Sequence, residues 1–335
     1  MHMADALLSP AVGGVMTAIS VGTLGYSAYK VKKDDLDEKK VPIMGVMGAF
    51  VFAAQMINFT IPGTGSSGHI GGGIMLAALL GQYPAFLTIA AVLIIQALFF
   101  ADGGLLALGC NIFNMGFFSC FVAYPLIFKP ILKKGINTKN ITIAAVLSTI
   151  IGLQFGAFSV VLETLASGIT ELPFKTFVAL MQPIHLAIGL VEGIITAAVV
   201  TFVYKMRPEL LENSVSGKAM RDISMKKVLS VMAVLVVVVG CVLSLFASAY
   251  PDGLEWSMEG VSGTAELEAS GGIYDSLSAL QEKLAFLPDY SFKSDEDGSN
   301  LGTATSGIVG AILTLGLAGI VGVSISAIKK KKKDK

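Results

Sequence analysis

The apolar stretch from Ile70 to Ala101, IGGGIMLAALLGQYPAFLTIAAVLIIQALFFA, decides how this chain is organised. As a single helix it would extend about 48 Å at 1.5 Å per residue, whereas the hydrocarbon core of a bilayer is about 30 Å thick. Proline disrupts a helix and a short polar turn ends one. We therefore predict that Gln82-Tyr83-Pro84 divides the stretch into two shorter membrane spans.

The composition of the whole chain is typical of a membrane protein. Of its 335 residues, 54% are hydrophobic and 14% are charged, and the mean hydropathy is +0.74. Soluble domains carry about 25% charged residues, so this surface is suited to lipid. The three cysteines lie in apolar stretches without a CxxC pair, and we interpret them as buried hydrophobic residues: Cys110, Cys120 and Cys241.

Basic residues occur in four clusters, at 30–40, 129–139, 205–227 and 329–335. Assigning the clusters to the cytoplasm orients the spans. Two spans within 70–101 put all four clusters on one side of a plasma-membrane protein, with the N-terminus outside and the C-terminus in the cytoplasm. The remaining predicted spans lie at about 11–29, 42–60, 104–128, 139–166, 179–204, 228–249 and 304–328.

The spans predict an all-α polytopic membrane protein with a seven-helix substrate-binding core plus two C-terminal transmembrane helices. The core covers 1–206, a polar cytoplasmic linker 207–226, and an accessory domain 227–335. The external loop of that domain, 250–303, holds eleven acidic residues and two lysines, and we expect it to be loosely ordered. The last span carries small residues at four-residue spacing, which suits close helix packing: Ser306, Gly310 and Thr314.

Only three histidines occur, and the predicted topology places His2 and His69 on the external face with His185 close to it. The His2 imidazole, its amide nitrogen and the terminal amine can close two adjacent chelate rings on one ion, and His69 can add a fourth, coplanar nitrogen. Such sites suit Ni²⁺ and Cu²⁺, whereas Mg²⁺ and Ca²⁺ prefer oxygen. No basic segment precedes the first apolar stretch, so we expect no cleaved signal peptide. A frayed terminus with an incidental histidine is the alternative.

Further polar residues fall in or near the predicted spans. His185 and Glu192 are seven residues apart, on one helix face, and ionisable residues inside a membrane are functional candidates. Interhelical hydrogen bonds are the alternative. We predict that the polar set orients the ligands of a metal ion or lines its pathway: Ser67, Gln96, Asn111, Asn114, His185 and Glu192.

Several function classes lack their motifs in this sequence. There is no GxxxxGK[ST] nucleotide-binding loop and no HExxH pair, and the lysines lie at membrane edges instead of forming a stripe for nucleic acid. We therefore expect no ATP hydrolysis by this chain and no nucleic-acid partner. The basic run 329–333 is suited to contact with anionic lipid.

Six motifs, in order along the chain, resemble those of a known transporter family. The first five resemble M components (CbiM/NikM type) of energy-coupling factor cobalt and nickel transporters. The sixth resembles the signature of the small N component, here fused to the M component. The motifs are 1–10 (MHMADALLSP), 68–72 (GHIGG), 102–105 (DGGL), 111–116 (NIFNMG), 185–193 (HLAIGLVEG) and 251–255 (PDGLE).

The resemblance implies that Met1, His2 and His69 bind Ni²⁺ or Co²⁺ as a transported ion, with no cofactor. It implies separate ATPase subunits and a transmembrane coupling subunit as partners. We predict a substrate-binding component of an importer, with a slight preference for nickel from the planar nitrogen geometry. A metal-binding scaffold or sensor without uptake is the alternative, and a membrane enzyme with His185 and Glu192 as a proton-transfer pair is a third.

Overall fold

The computed structural model describes residues 1–33, 40–216, 226–294 and 300–333. Its regular structure is helical apart from a hairpin of two three-residue strands, β1 (Phe59–Ile61) and β2 (Ser66–Gly68). The helices are α1 (Pro10–Lys33), α2 (Lys40–Gln55), α3 (Gly73–Leu80), α4 (Gln82–Phe99), α5 (Leu108–Lys133), α6 (Thr138–Ser167), α7 (Phe174–Met206), α8 (Pro208–Ser216), α9 (Lys226–Cys241), α10 (Gly253–Ser262), α11 (Ile273–Leu284) and α12 (Asn300–Lys333).

Among the described residues, seven helices are long and apolar enough to cross a membrane. This finding confirms the all-α, polytopic membrane fold. They are α1, α4, α5, α6, α7, α9 with the 3-10 turn Leu243–Phe246 that follows it, and α12.

The stretch 70–101 is divided at Gly81, which has a φ of +86° and separates α3 from α4. The predicted breaking residues instead begin α4, because proline is tolerated in the first turn of a helix, where its missing N–H needs no partner. All eight residues of α3 are buried. At eight residues α3 reaches about 12 Å, so it is a short central helix that does not cross the bilayer by itself.

Neighbouring helices of the bundle pack closely at glycine residues. In α7, a Cβ added to Gly193 would lie 2.7 Å from the Cα of Val146 in α6, so the two backbones approach closely, as in many membrane helix pairs. The outer face of α1 exposes Val15 and Val21, as expected for a helix in contact with lipid.

The C-terminal spans α9 and α12 pack on each other and on α2. A Cβ on Gly307 would lie 2.1 Å from the carbonyl oxygen of Gly240, and one on Gly310 would lie 1.9 Å from Cζ of Phe52. Ser306 and Thr314 are fully buried. The predicted small-residue face of the last span is thus the face that packs against α2 and α9.

The predicted linker 207–226 begins with a helix, α8. Its Leu211 is fully buried, and the Tyr124 hydroxyl donates a hydrogen bond of 2.7 Å to the carbonyl oxygen of Ser214. The first part of this linker is therefore packed against the core.

The segment 250–303, predicted to be loosely ordered, contains α10 and α11. A capping box begins α10, in which Asp252 accepts from the backbone and Glu255 accepts from the Asp252 N–H. Local capping thus stabilises a helix in a segment whose acidic composition predicted little order. Parts of the predicted basic clusters, linker and external loop lie outside the described residues: 34–39, 217–225, 295–299 and 334–335.

Candidate metal centre

The N-terminal segment is anchored, in contrast to the frayed alternative. The Met3 N–H donates to Oδ1 of Asn111 at 2.7 Å, and Nδ2 of Asn111 donates back to the Met3 carbonyl at 3.2 Å. The Gly104 N–H donates to the same carbonyl at 3.0 Å, and Met3 is fully buried. These bonds satisfy the backbone on both sides of one residue and hold Met1 and His2 in place.

The loop before α5 approaches the N-terminal segment closely. Oδ1 of Asp5 accepts a hydrogen bond of 2.9 Å from the Ala107 N–H. A Cβ on Gly104 would lie 1.8 Å from the same oxygen. Only glycine fits at this position.

The β1–β2 hairpin delivers His69. Gly63 and Gly65 in its turn have φ values of +78° and +74°, which glycine adopts without strain. The backbone after His69 is tied down from two helices: Nε2 of Gln55 donates to the Gly71 carbonyl at 2.9 Å, and the Gly72 N–H donates to Oε1 of Glu192 at 2.9 Å.

The chain amine and the side chains of His2 and His69 meet at one point. The Met1 amine donates to Nε2 of His69 at 3.0 Å, and the His2 and His69 rings stack with centroids 5.1 Å apart. Nδ1 of His69 is 3.1 Å from the Ile70 carbonyl, which assigns the proton to Nδ1 and the lone pair to Nε2. Two nitrogens bonded at right angles to one ion at about 2.0–2.1 Å lie about 2.9 Å apart. The amine and Nε2 thus have the separation of neighbouring ligands.

Burial keeps both imidazoles neutral. Burial and the adjacent Met1 ammonium lower the pKa of His69 to about 3. Burial also lowers the pKa of His2, although Asp102 opposes the shift. A neutral imidazole offers a lone pair, which is the form that binds metal ions.

The predicted planar set of four nitrogens is only partly assembled. Nδ1 of His2 lies 3.1 Å from Oδ1 of Asp102, and the Tyr290 hydroxyl donates to the other oxygen of that carboxylate. Chelation by the His2 ring therefore requires the ring to turn away from Asp102. No group of three or more His, Cys, Asp or Glu side chains in the described part of the chain is arranged around a metal position; the nitrogens that meet here come from two rings and the main chain.

A carboxylate that sequence reasoning missed lies beside the Met1 amine and His69. The Met1 amine donates to Oδ2 of Asp252, which also lies 4.0 Å from Nε2 of His69. Burial by itself raises the pKa of Asp252, but the Met1 ammonium, His69 and the hydrogen bonds that the carboxylate accepts together outweigh burial and leave the pKa below its usual value. The available signal was the PDGLE motif, although nothing in the sequence placed it beside Met1.

Four of the other predicted residues contact the segments around the centre. Asn111 binds Met3, as described above. Nδ2 of Asn114 donates to Oε2 of Glu163 at 2.7 Å, and Oγ of Ser67 donates to the Tyr250 carbonyl at 2.7 Å. Nε2 of Gln96 donates to the Tyr290 hydroxyl at 3.2 Å. These bonds hold neighbouring segments together, and the side chain of Gln96 also interacts with the His2 ring.

His185 and Glu192 have separate partners. Nδ1 of His185 donates to the Met181 carbonyl of its own helix at 2.8 Å, whereas Glu192 accepts from Gly72. Both line a cavity of about 20 Å³ beneath the centre, which is room for about one water molecule. Met1, His69 and Asp252 line the same cavity.

A larger cavity of about 380 Å³ opens beside His2. Its wall combines the N-terminal segment, the loop after α4 and the C-terminal segment, and it is rich in carboxylates. An acidic wall of this kind attracts cations. The acidic residues are Asp5, Asp102, Asp252, Glu255, Glu266 and Asp289.

Comparisons with known proteins show which family the chain belongs to. The family described as the cobalt uptake substrate-specific transmembrane region, CbiM, matches residues 2–210, and the PDGLE domain matches residues 226–327. A putative fused nickel transport protein, NikMN, of Archaeoglobus fulgidus is 33% identical over 95% of this chain and 96% of its own length. The fused nickel transport protein NikMN of Rhodobacter capsulatus is 30% identical over 98% and 97%.

A solved crystal structure of a transition metal transporter is 32% identical to this chain, with a TM-score of 0.55, and covers 65% of this chain and 100% of its own. The solved structure thus corresponds to about two thirds of this chain by length. The chain belongs to the CbiM family of substrate-specific transmembrane regions, fused to a PDGLE domain, and is a multi-pass membrane component of metal transport.

Proposed function

We propose that this protein is the substrate-binding component of an energy-coupling factor importer for Ni²⁺ or Co²⁺, with a preference for Ni²⁺. The ligands are the Met1 amine, the amide and ring nitrogens of His2, and Nε2 of His69. The supporting observation is the 3.0 Å separation of the Met1 amine from Nε2 of His69 in a buried, anchored pocket.

The nickel preference follows from the donors. Nitrogen donors in a plane favour Ni²⁺ over Co²⁺, in keeping with the order of stability of divalent complexes. The nickel transport names of the two full-length relatives support the same ion. Because the family description names cobalt uptake, Co²⁺ is the competing substrate.

The importer role implies a membrane orientation for this chain and a set of partner subunits. The chain lies in the plasma membrane with the N-terminus and the acidic cavity outside, where an ion enters, and with the C-terminus in the cytoplasm. Separate ATPase subunits and a transmembrane coupling subunit supply the energy. The alternative, a metal-binding scaffold or sensor, shares the site and differs only in the absence of uptake.

The test of the ligand set is an extension of the N-terminus. A short peptide that ends in a protease recognition sequence is added before Met1, so that cleavage leaves Met1 as the first residue. Ni²⁺ binding is measured by calorimetry on the full chain in lipid nanodiscs, with each terminus verified by mass spectrometry. We expect the extended chain to lose binding and the cleaved chain to regain it, because the extension replaces the terminal amine by an internal amide, which would have to lose a further proton before it could bind the ion.

Equal affinity of the extended and cleaved chains would refute the ligand assignment. Uptake of labelled Ni²⁺ by cells that also contain the ATPase and coupling subunits tests the importer role. Accumulation above that of cells with the extended chain is expected, and its absence, with binding intact, would identify a scaffold or sensor.

A further inference from the structure

The PDGLE segment is docked on the hairpin that carries His69. The Ser67 N–H donates to the Pro251 carbonyl at 2.8 Å, and Nε1 of Trp256 donates to the Thr64 carbonyl at 3.0 Å. These bonds fix both sides of Asp252. A residue of the C-terminal domain is thereby held at the metal centre of the N-terminal one.

Packing on α7 restricts the same segment. A Cβ on Gly253 would lie 2.7 Å from Cδ1 of Ile188 and 3.0 Å from Cε1 of His185. The backbone after Asp252 is thus pressed directly against the core helix, and the position of the carboxylate is set from both domains.

The two carboxylate oxygens of Asp252 have different partners. Oδ1 caps α10 by accepting from the N–H groups of Leu254 at 2.7 Å and Glu255 at 3.0 Å. Oδ2 faces the Met1 amine and His69. Asp252 is only 8% exposed, and a buried charge needs a partner of opposite sign.

We propose that Asp252 is the counter-ion of the metal centre, supplied by the C-terminal domain, and that its negative charge stabilises the bound cation. This inference rests on the proposed function. The ammonium of Met1 and the carboxylate cancel in this structure. A divalent ion bound through a neutral amine and a deprotonated amide replaces two protons, so the same carboxylate leaves the local charge unchanged. Asp252 thus allows a dication to enter a buried site without leaving an uncompensated charge.

The test compares Asp252→Asn with Glu259→Gln in the full chain. Asparagine caps a helix as well as aspartate does, so Asp252→Asn removes the charge and keeps the cap. Glu259 is the matched control, because it carries a carboxylate in the same helix, seven residues away, but is exposed, where solvent screens its charge. Ni²⁺ affinity, the ligand-field absorption spectrum of the loaded protein and the thermal midpoint are measured for both variants.

We expect Asp252→Asn to weaken Ni²⁺ binding about 10- to 100-fold, the usual effect of losing a partner close to a metal ligand. The absorption spectrum should stay that of the wild type, because the nitrogen ligands remain. Glu259→Gln should bind within about threefold of the wild type, since surface charges interact weakly.

Unchanged or tighter binding by Asp252→Asn would overturn the inference; tighter binding would mean that Asp252 competes with the ion for the amine. Equal losses in both variants would also overturn it, because the effect would then belong to the whole loop. The extension before Met1 separates the two proposals. If the extension abolishes binding and Asp252→Asn does not weaken it, only the counter-ion role fails; if the extension has no effect, the ligand set itself fails.

Discussion

Nδ1 of His2 lies 3.1 Å from Oδ1 of Asp102 in the loop after α4. The side chain of His2 is 8% exposed and that of Asp102 is 22% exposed, so the pair closes the centre on the side of the acidic cavity. The carboxylate holds Nδ1 of His2, the ring nitrogen that the proposed chelate needs, and the Tyr290 hydroxyl from the C-terminal segment donates a hydrogen bond to the carboxylate.

We expect Asp102→Asn to strengthen Ni²⁺ binding by up to about tenfold, because Nδ1 of His2 must leave Asp102 before it can bind the ion, and a hydrogen bond to a neutral amide is weaker than one to a carboxylate. Calorimetry on the full chain measures the change. Asp289→Asn is the matched control: it removes a carboxylate from the same cavity, at an exposed position, and should leave the affinity within about threefold. Equal changes in the two variants would show that the cavity charge matters and the His2 contact does not.

Gly104→Ala should displace the N-terminal segment, because the added Cβ would lie 1.8 Å from Oδ1 and 2.5 Å from the backbone nitrogen of Asp5. We expect Ni²⁺ binding to be about 5- to 150-fold weaker, since overpacking of about 1–3 kcal/mol falls on the segment that holds the proposed ligands. Gly22→Ala in α1 meets nothing within 4 Å and should bind as the wild type does. Wild-type affinity in Gly104→Ala would contradict the anchoring of Met1 by this loop.

Gly307→Ala should lower the thermal midpoint of the purified protein. The new Cβ would lie 2.1 Å from the carbonyl oxygen of Gly240, and backbone cannot move aside as a side chain can, so α9 and α12 must separate at a cost of about 1–3 kcal/mol. Gly316→Ala in the same helix meets nothing within 4 Å and should keep or raise the midpoint, because alanine favours helix by about 1 kcal/mol. Equal midpoints would show that the crossing of α9 and α12 tolerates a larger separation.

Ni²⁺ should displace Co²⁺ from the wild-type chain at equal free concentrations, and Cu²⁺ should bind more tightly than either, because nitrogen sites follow the order Co²⁺ < Ni²⁺ < Cu²⁺. Competition dialysis with elemental analysis measures the three affinities. The His69→Ala chain is the control, and it should bind all three ions more weakly. Preferential retention of Co²⁺ by the wild type would point to a centre that is not planar.

Local sequence determined the membrane architecture. The apolar runs near 139–166 and 179–204 became α6 and α7 within a few residues, because a bilayer demands helices of a fixed length and internal hydrogen bonding. The sequence also predicted that the stretch 70–101 is divided into two helices. The break lies at Gly81, however, and the first of the two helices is too short to cross the bilayer. The position of the break depends on which residue can adopt a positive φ, and the length of α3 depends on the space that the neighbouring helices leave for it.

The sequence also pointed to Met1, His2 and His69, because a histidine in second position and a glycine-rich loop are local features. It did not identify Asp252, which meets the Met1 amine across 251 positions of sequence. Nor did it reveal that Nδ1 of His2 faces Asp102. Spans and chelating groups follow from the chemistry of a few neighbouring residues. The partner of a buried charge depends on how two distant domains pack, and only the tertiary structure decides that.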